Sequence, residues 1–267
     1  MKRYQVLNFD FDTRATLLNL SIEESNKRLI RVGLLCQFGV ADGDEKIKDF
    51  TEIGPAPVSV LAFHNKFMLQ LRCAFTIGSY YPALTAACAL GERILNHLIL
   101  GLREHYKATP EYKNIYRKQS FDNWDMPITA LANWGVLLPD VVKEFGRLRD
   151  IRNRTIHFHP DTDTNDRELA LNAISSLTQI INGQFGAIGP LPWFIPNTHG
   201  TAYIKRSYED VPFIKLVYLP NCQLVGPLNE LEHRGDQWIV KDDHAYPDQE
   251  VTDEQFVRMA NVRKLDA

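Results

Sequence analysis

The stretch Arg147-Leu-Arg-Asp-Ile-Arg-Asn-Arg-Thr-Ile-His157-Phe-His159-Pro160 concentrates guanidinium and imidazole groups. Within it stand Arg152-Asn153, three further residues, and then His157. A histidine near its ordinary pKa changes charge close to neutral pH and can take up a proton there. A guanidinium matches the geometry of a phosphate and stabilises negative charge as it builds. Asn153 can orient either the bound phosphate or the imidazole. Arg149, Arg154 and His159, with Arg147, supply a local positive surface for a polyanion. Each residue also has a plainer role. Arg152 can be an ion pair joining two helices, and Asn153 a polar surface residue. His157 can simply sit near a helix C-terminus, where the dipole favours a cation.

The elements that must position these groups follow from periodicity. A helix is predicted over 141–157, with Asp140 as its N-cap and His159-Pro160 as its stop, because the residue before proline avoids the helical region. On that helix Val141, Phe145, Leu148, Arg152 and Thr155 share one face, which puts Arg152 inside an apolar stripe. A buried guanidinium needs a partner. Glu92 is the only carboxylate between Asn65 and Arg103, and it too lies in apolar surroundings. Glu92 and Arg152 are therefore predicted to meet. His157 falls about 140° around the helix from Arg152, so an unbroken helix would not aim both at one phosphate. Either the helix ends before His157, helped by β-branched Thr155 and Ile156, or the site is shared between two subunits.

Upstream, residues 4–12 partly alternate and predict a short strand, and 21–38 a helix capped by Ser21 and ended by Gly39. Residues 40–57, with Gly43, Gly54, Pro55 and Pro57, are expected to be loop. Two helices are predicted at 59–78 and 82–106, broken at Tyr80-Tyr81-Pro82, the second apolar nearly all round and hence central. Residues 107–137 are expected to form a charged, aromatic-rich connection with room for one short helix. Another helix is expected from Asp166 to Ile181.

Beyond Gly183 the texture changes to recurring Gly and Pro with short apolar runs. Ala202–Ile204, Phe213–Leu219, Gln223–Val225 and Trp238–Val240 are expected to be strands of a small sheet or barrel, followed by a helix over 252–264. The expected fold is mainly α, a helical bundle with a small strand-rich C-terminal module, α+β overall. The expected divisions are an N-terminal segment at 1–57, a bundle at 58–183 and the strand-rich module at 190–267.

Over roughly residues 58–182, from the apolar helix carrying Glu92-Arg93 to the Arg152-Asn153-x-x-x-His157 motif, the sequence resembles the HEPN family. Members are four- to five-helix domains carrying an arginine, a polar residue (often Asn) and a histidine four to six residues beyond the arginine. The resemblance implies a homodimer with the motifs facing across a cleft, cleaving single-stranded or looped RNA without metal or cofactor. Arg152, Asn153 and His157 would be catalytic, Arg149, Arg154 and His159 substrate-binding, and Glu92 a structural ion-pair partner. An antitoxin or other regulatory protein is a further partner that the family suggests. One HEPN subgroup is regulated through a tyrosine two residues after the histidine; His159 stands there, so that regulation does not carry over. A catalytically silent module binding a nucleotide, RNA or protein is the alternative.

Composition bounds these readings. With 45% hydrophobic and 24% charged residues the chain is an ordinary globular protein. The net charge of −3 gives no global mark of a nucleic-acid binder. From Pro190 onward, 8 Lys and Arg stand against 12 Asp and Glu, which argues against the tail as an RNA platform. The four scattered cysteines have no metal-ligand or CxxC spacing. His233, His244, Asp242 and Asp243 fit no familiar metal motif, so no metal is expected. Ala83–Leu102 is apolar enough to raise the question of a membrane, but Glu92, Arg93, Asn96 and His97 near its middle favour a buried bundle helix. No apolar signal core is evident near Met1, and the cytoplasm is the expected compartment.

Overall fold

The structure, a computed structural model, describes residues 1–7, 12, 14–155, 162–198, 200–234 and 237–265. The fold is mainly α with a small antiparallel strand-rich module, and the chain divides into two units, Phe9–Gly186 and Met1–Asn8 with Ala187–Ala267.

The helical unit is organised around α5 (Tyr80–Leu102), which buries Ala83, Leu84, Ala87, Cys88, Leu90, Gly91, Ile94, Leu95, Leu98, Ile99 and Leu102. Helices α4 (Ala62–Thr76), α7 (Asp125–Asn133), α8 (Pro139–Thr155) and α9 (Thr162–Phe185) pack on it. Its composition and length would also suit a bilayer, and here its apolar surface is a bundle core. The break between α4 and α5 falls at Gly78 (φ 81°) rather than at Tyr80-Tyr81-Pro82. Pro82 instead sits in the first turn of α5, where its missing N–H costs nothing. Helix α9 carries non-helical angles at Asn165, so its regular part begins where the expected helix does.

Ser21 and residues 43–52 also depart from expectation in this unit. Helix α2 (Glu24–Phe38) starts three residues after Ser21, which does not cap it, while Gly39 (φ 86°) ends it. Residues 43–52, expected as loop, form α3 (Gly43–Glu52): its breakers lie at the ends, and Asp49 and Phe50 turn inward. Asp49 is compensated by the Tyr80 hydroxyl at 2.7 Å and by Arg167 at 2.6 Å. The short helices α1 (Arg14–Asn19) and α6 (Tyr112–Ile115) complete the unit.

In the other unit β1 (Arg3–Val6) is the central strand, antiparallel to β2 (Ala202–Tyr203) and to β3 (Cys222–Val225), with Gln5 opposite Tyr203 on one side and Gln223 on the other. The first residues thus belong with the strand-rich module rather than with an N-terminal segment of residues 1–57. Strands β4 (Glu230–Arg234) and β5 (Gln237–Lys241) form a separate hairpin. Helix α10 (Asp253–Leu265) begins with a reciprocal cap: the Thr252 N–H donates to Gln255 Oε1 at 2.9 Å, and the Gln255 N–H to Thr252 Oγ1 at 3.2 Å. Phe256, Val257 and Ala260 of α10 close over Ile195, Tyr203 and Val225.

The run Phe213–Leu219 is helical, not a strand: residues 214–218 form a π turn followed by a 3₁₀ turn at 219–221. Its buried members are Phe213, Ile214 and Tyr218, while Leu216 is 45% exposed. That pattern covers one side of a helical turn and fits no period of two.

Candidate functional site at the C-terminal end of α8

Helix α8 begins one residue before Asp140. The Val142 N–H bonds to the Leu138 carbonyl, so Asp140 sits in the first turn, holding Lys143 at 2.8 Å, rather than capping the helix. Val141, Phe145, Leu148 and Thr155 are buried along one stripe. Close approach to α5 is made by Gly91: a Cβ there would lie 2.7 Å from Leu148 Cδ2 and 2.8 Å from Trp124 Cη2. The glycine lets a leucine and an indole ring lie directly on the α5 backbone, one residue before Glu92.

Arg152 lies on the same stripe, at its outer end. Its Nη2 donates to Glu92 Oε2 at 3.0 Å, and the same oxygen accepts the Trp124 indole N–H at 3.2 Å. The guanidinium also stands over the Trp124 ring, 5.7 Å from its centroid. The side chains of Arg152 and Glu92 are 17% and 36% exposed, so the pair sits at the rim of the bundle and not in a sealed core. An ion pair at such a site contributes at most about 1 kcal/mol. Arg152 Nη1 reaches Asn153 Oδ1 at 3.4 Å, a long contact that leaves donors for an incoming anion. Asn153 and Arg154 are exposed beside it on the last turn.

Behind this rim lies Cys88, whose thiol is pushed up to about 12 by burial, with the Arg152 charge acting the other way. It is a packed, protonated residue. Thr155 Oγ1 donates to the Ile151 carbonyl at 2.9 Å, tying down the last turn.

Arg149, one turn before Arg152, donates to Asp150 at 2.8 Å and also pairs with Asp125. The Asp150 hydrogen bond, with that of Asp125, raises its pKa further. Arg147 is paired with Glu144 at 2.6 Å. The structure therefore brings Arg152, Asn153 and Glu92 together and places Arg154 on the same turn. It occupies Arg149 with carboxylates. His157 and His159, expected as general base and substrate contact, lie outside the described residues, as does the predicted helix stop at His159-Pro160.

Trp124 and Asp125 are the partners that sequence reasoning missed. Trp124 precedes α7 and Asp125 opens it, and the segment before them is pinned to α5 by Asn96: its Oδ1 accepts the Phe121 N–H at 2.8 Å, and its Nδ2 donates to the Phe121 carbonyl at 3.3 Å. The available signal was Gly91, a glycine inside an apolar helix, which marks close approach by a large neighbour.

No protein-family model, curated protein or solved structure matches the chain.

Proposed function

We propose that the protein is a metal-independent endoribonuclease of the HEPN type, acting in the cytoplasm as a homodimer on single-stranded or looped RNA. A role as a toxin or antiviral effector, with an antitoxin or regulatory partner, fits this reading. The observation that carries it is the placement of Arg152. It is oriented by Glu92 and Trp124 at an open rim, flanked by Asn153, on the last described turn of α8, with His157 close behind it in the sequence.

In this reaction His157 takes the proton of a ribose 2′-OH. The 2′-oxygen bonds to phosphorus, the bond from phosphorus to the 5′-oxygen breaks, and the departing oxygen is protonated by water or by the second subunit's imidazole. Arg152 holds the phosphate and stabilises the charge on the five-coordinate transition state. Asn153 orients the phosphate or the imidazole. The products are a 2′,3′-cyclic phosphate and a 5′-hydroxyl, and DNA, lacking the 2′-OH, is spared.

A second reading, a catalytically silent module binding a nucleotide, RNA or protein, is favoured by one observation: Arg147, Arg149 and Arg152 each already face a carboxylate. That pairing reduces the net positive field around the motif. Cleavage of an RNA panel in excess EDTA separates the two. The nuclease reading expects cyclic-phosphate ends from the wild type, and a loss of about a hundredfold or more in folded Arg152→Ala and His157→Ala. Intact, dimeric wild type that leaves the whole panel uncut overturns it in favour of the binding module.

A further inference from the structure

Helix α4 carries an arginine in a different situation. Arg72 is 6% exposed, and among the described residues its Nη1 and Nη2 donate to backbone carbonyls, of Ile53 at 3.3 Å and Gly54 at 2.5 Å. These carbonyls lie just past the end of α3, near the negative end of its dipole, and carry no formal charge. Among the described residues, no carboxylate pairs with Arg72. Burial pulls its pKa down to about 10, with the charge of Asp12 acting the other way. A buried guanidinium lacking a full counter-charge costs several kcal/mol. Arg72 therefore has an unmet need for an anion.

It lines a cavity of about 80 Å³ together with Phe38, Phe50, Met68 and Leu69, and with the ion-paired Asp12 and Arg14. A water needs only about 10–15 Å³ of such space, so there is room for several heavy atoms. The charge count is specific. Arg14 is already neutralised, with its Nε and Nη2 on the two oxygens of Asp12 at 3.0 and 2.7 Å and its Nη1 on Gln37 at 2.7 Å. Among the described residues one positive charge remains, on Arg72, whose guanidinium has five N–H donors and gives two of them to described partners. One charge calls for a monoanion, and the aromatic and aliphatic walls call for an apolar body behind it.

We propose that this cavity is a binding site for a small monocarboxylate, its carboxylate on Arg72 and its hydrocarbon part against Phe38, Phe50 and Met68. A phosphate dianion fits poorly, since among the described residues its second charge meets no free cation and it has nothing to place against the apolar walls. The site lies apart from the α8 rim and does not depend on the nuclease reading.

The test uses the full chain, with calorimetric titration and thermal unfolding in butanoate, hexanoate, hexanamide and inorganic phosphate. The expected result is saturable binding of butanoate or hexanoate with a rise in Tm, and no such effect from hexanamide or phosphate. Arg72→Gln should weaken binding about tenfold or more. Because Arg72→Gln also disturbs a buried residue, Leu69→Trp, at a 59% exposed wall position, supplies a variant that obstructs the cavity with the fold retained. It too should lose binding. Absence of saturable binding by either carboxylate to folded wild type overturns the proposal, as does equal binding of hexanamide, tighter binding of phosphate, or full affinity in Leu69→Trp.

Discussion

Two arginines in this molecule use the same parts in opposite ways. Arg3, in the strand-rich unit, and Arg152, in the bundle, each contact a carboxylate and each stand 5.7 Å from the centre of an aromatic ring. Arg3 is 1% exposed, and all three arms are taken: Nε by Asp253 at 2.9 Å, Nη2 by the Val251 carbonyl at 2.6 Å and Nη1 by the Lys2 carbonyl at 3.1 Å. It fastens the first strand to the segment that opens α10. Arg152 has one short bond to Glu92, a long one to Asn153, and an exposed edge. A saturated guanidinium is structural. An oriented but unsaturated one is available for a ligand, and that difference gives Arg152 its functional reading.

The largest effect is expected at Arg3. Arg3→Ala should destabilise its unit by about 3 kcal/mol or more, since it leaves Asp253 and two carbonyls without their partner. Urea unfolding followed by fluorescence and circular dichroism measures this, and a loss below about 1 kcal/mol would erase the contrast. Gly91→Val comes next, at about 1–3 kcal/mol, because the new side chain must displace Leu148 and Trp124. It should also disturb the Glu92–Arg152 rim, visible as a change in Trp124 fluorescence.

A sealed site in the bundle extends the contrast to pH. His64 is 1% exposed, bonded through Nδ1 to Ser59 Oγ at 2.8 Å, and burial pulls its pKa down to about 3. Between the unfolded value of 6.5 and about 3, the unfolded chain binds a proton that the native chain does not. The stability is fully present above pH 6.5 and is lost as pH falls, by about 1.4 kcal/mol per unit. Unfolding free energies measured from pH 7 to 4 should show this slope, and His64→Gln should flatten it. The smallest effect is expected at the rim itself, where Arg152→Ala should cost no more than about 1 kcal/mol.

The sequence reveals those parts of this architecture that are locally periodic. Helices α5, α8 and α9 carry unbroken apolar stripes, and the encounter of Glu92 with Arg152 follows from two polar groups set alone in such stripes. Pairing that depends on distant segments is not legible. The partners of β1 lie some two hundred residues away, and nothing in Arg3–Val6 names them. Trp124 and Asp125 sit in an aromatic-rich connection without periodicity, so their approach to Glu92 and Arg149 leaves only Gly91 as a trace. Residues 43–52 and 213–219 mislead for related reasons: flanking glycines and prolines suggest a loop in the first, and a dense apolar run hides a helical turn in the second.

The nuclease proposal requires Arg152 to be held for a ligand and not for the fold. The direct measurement is single-turnover RNA cleavage in excess EDTA by wild type and Arg152→Ala, with the unfolding free energy of each determined on the same preparations. Cleavage is expected to fall by about a hundredfold or more while stability changes by no more than about 1 kcal/mol. An Arg152→Ala protein that cleaves as wild type does, or that loses cleavage only in proportion to the fraction unfolded, would contradict the proposal.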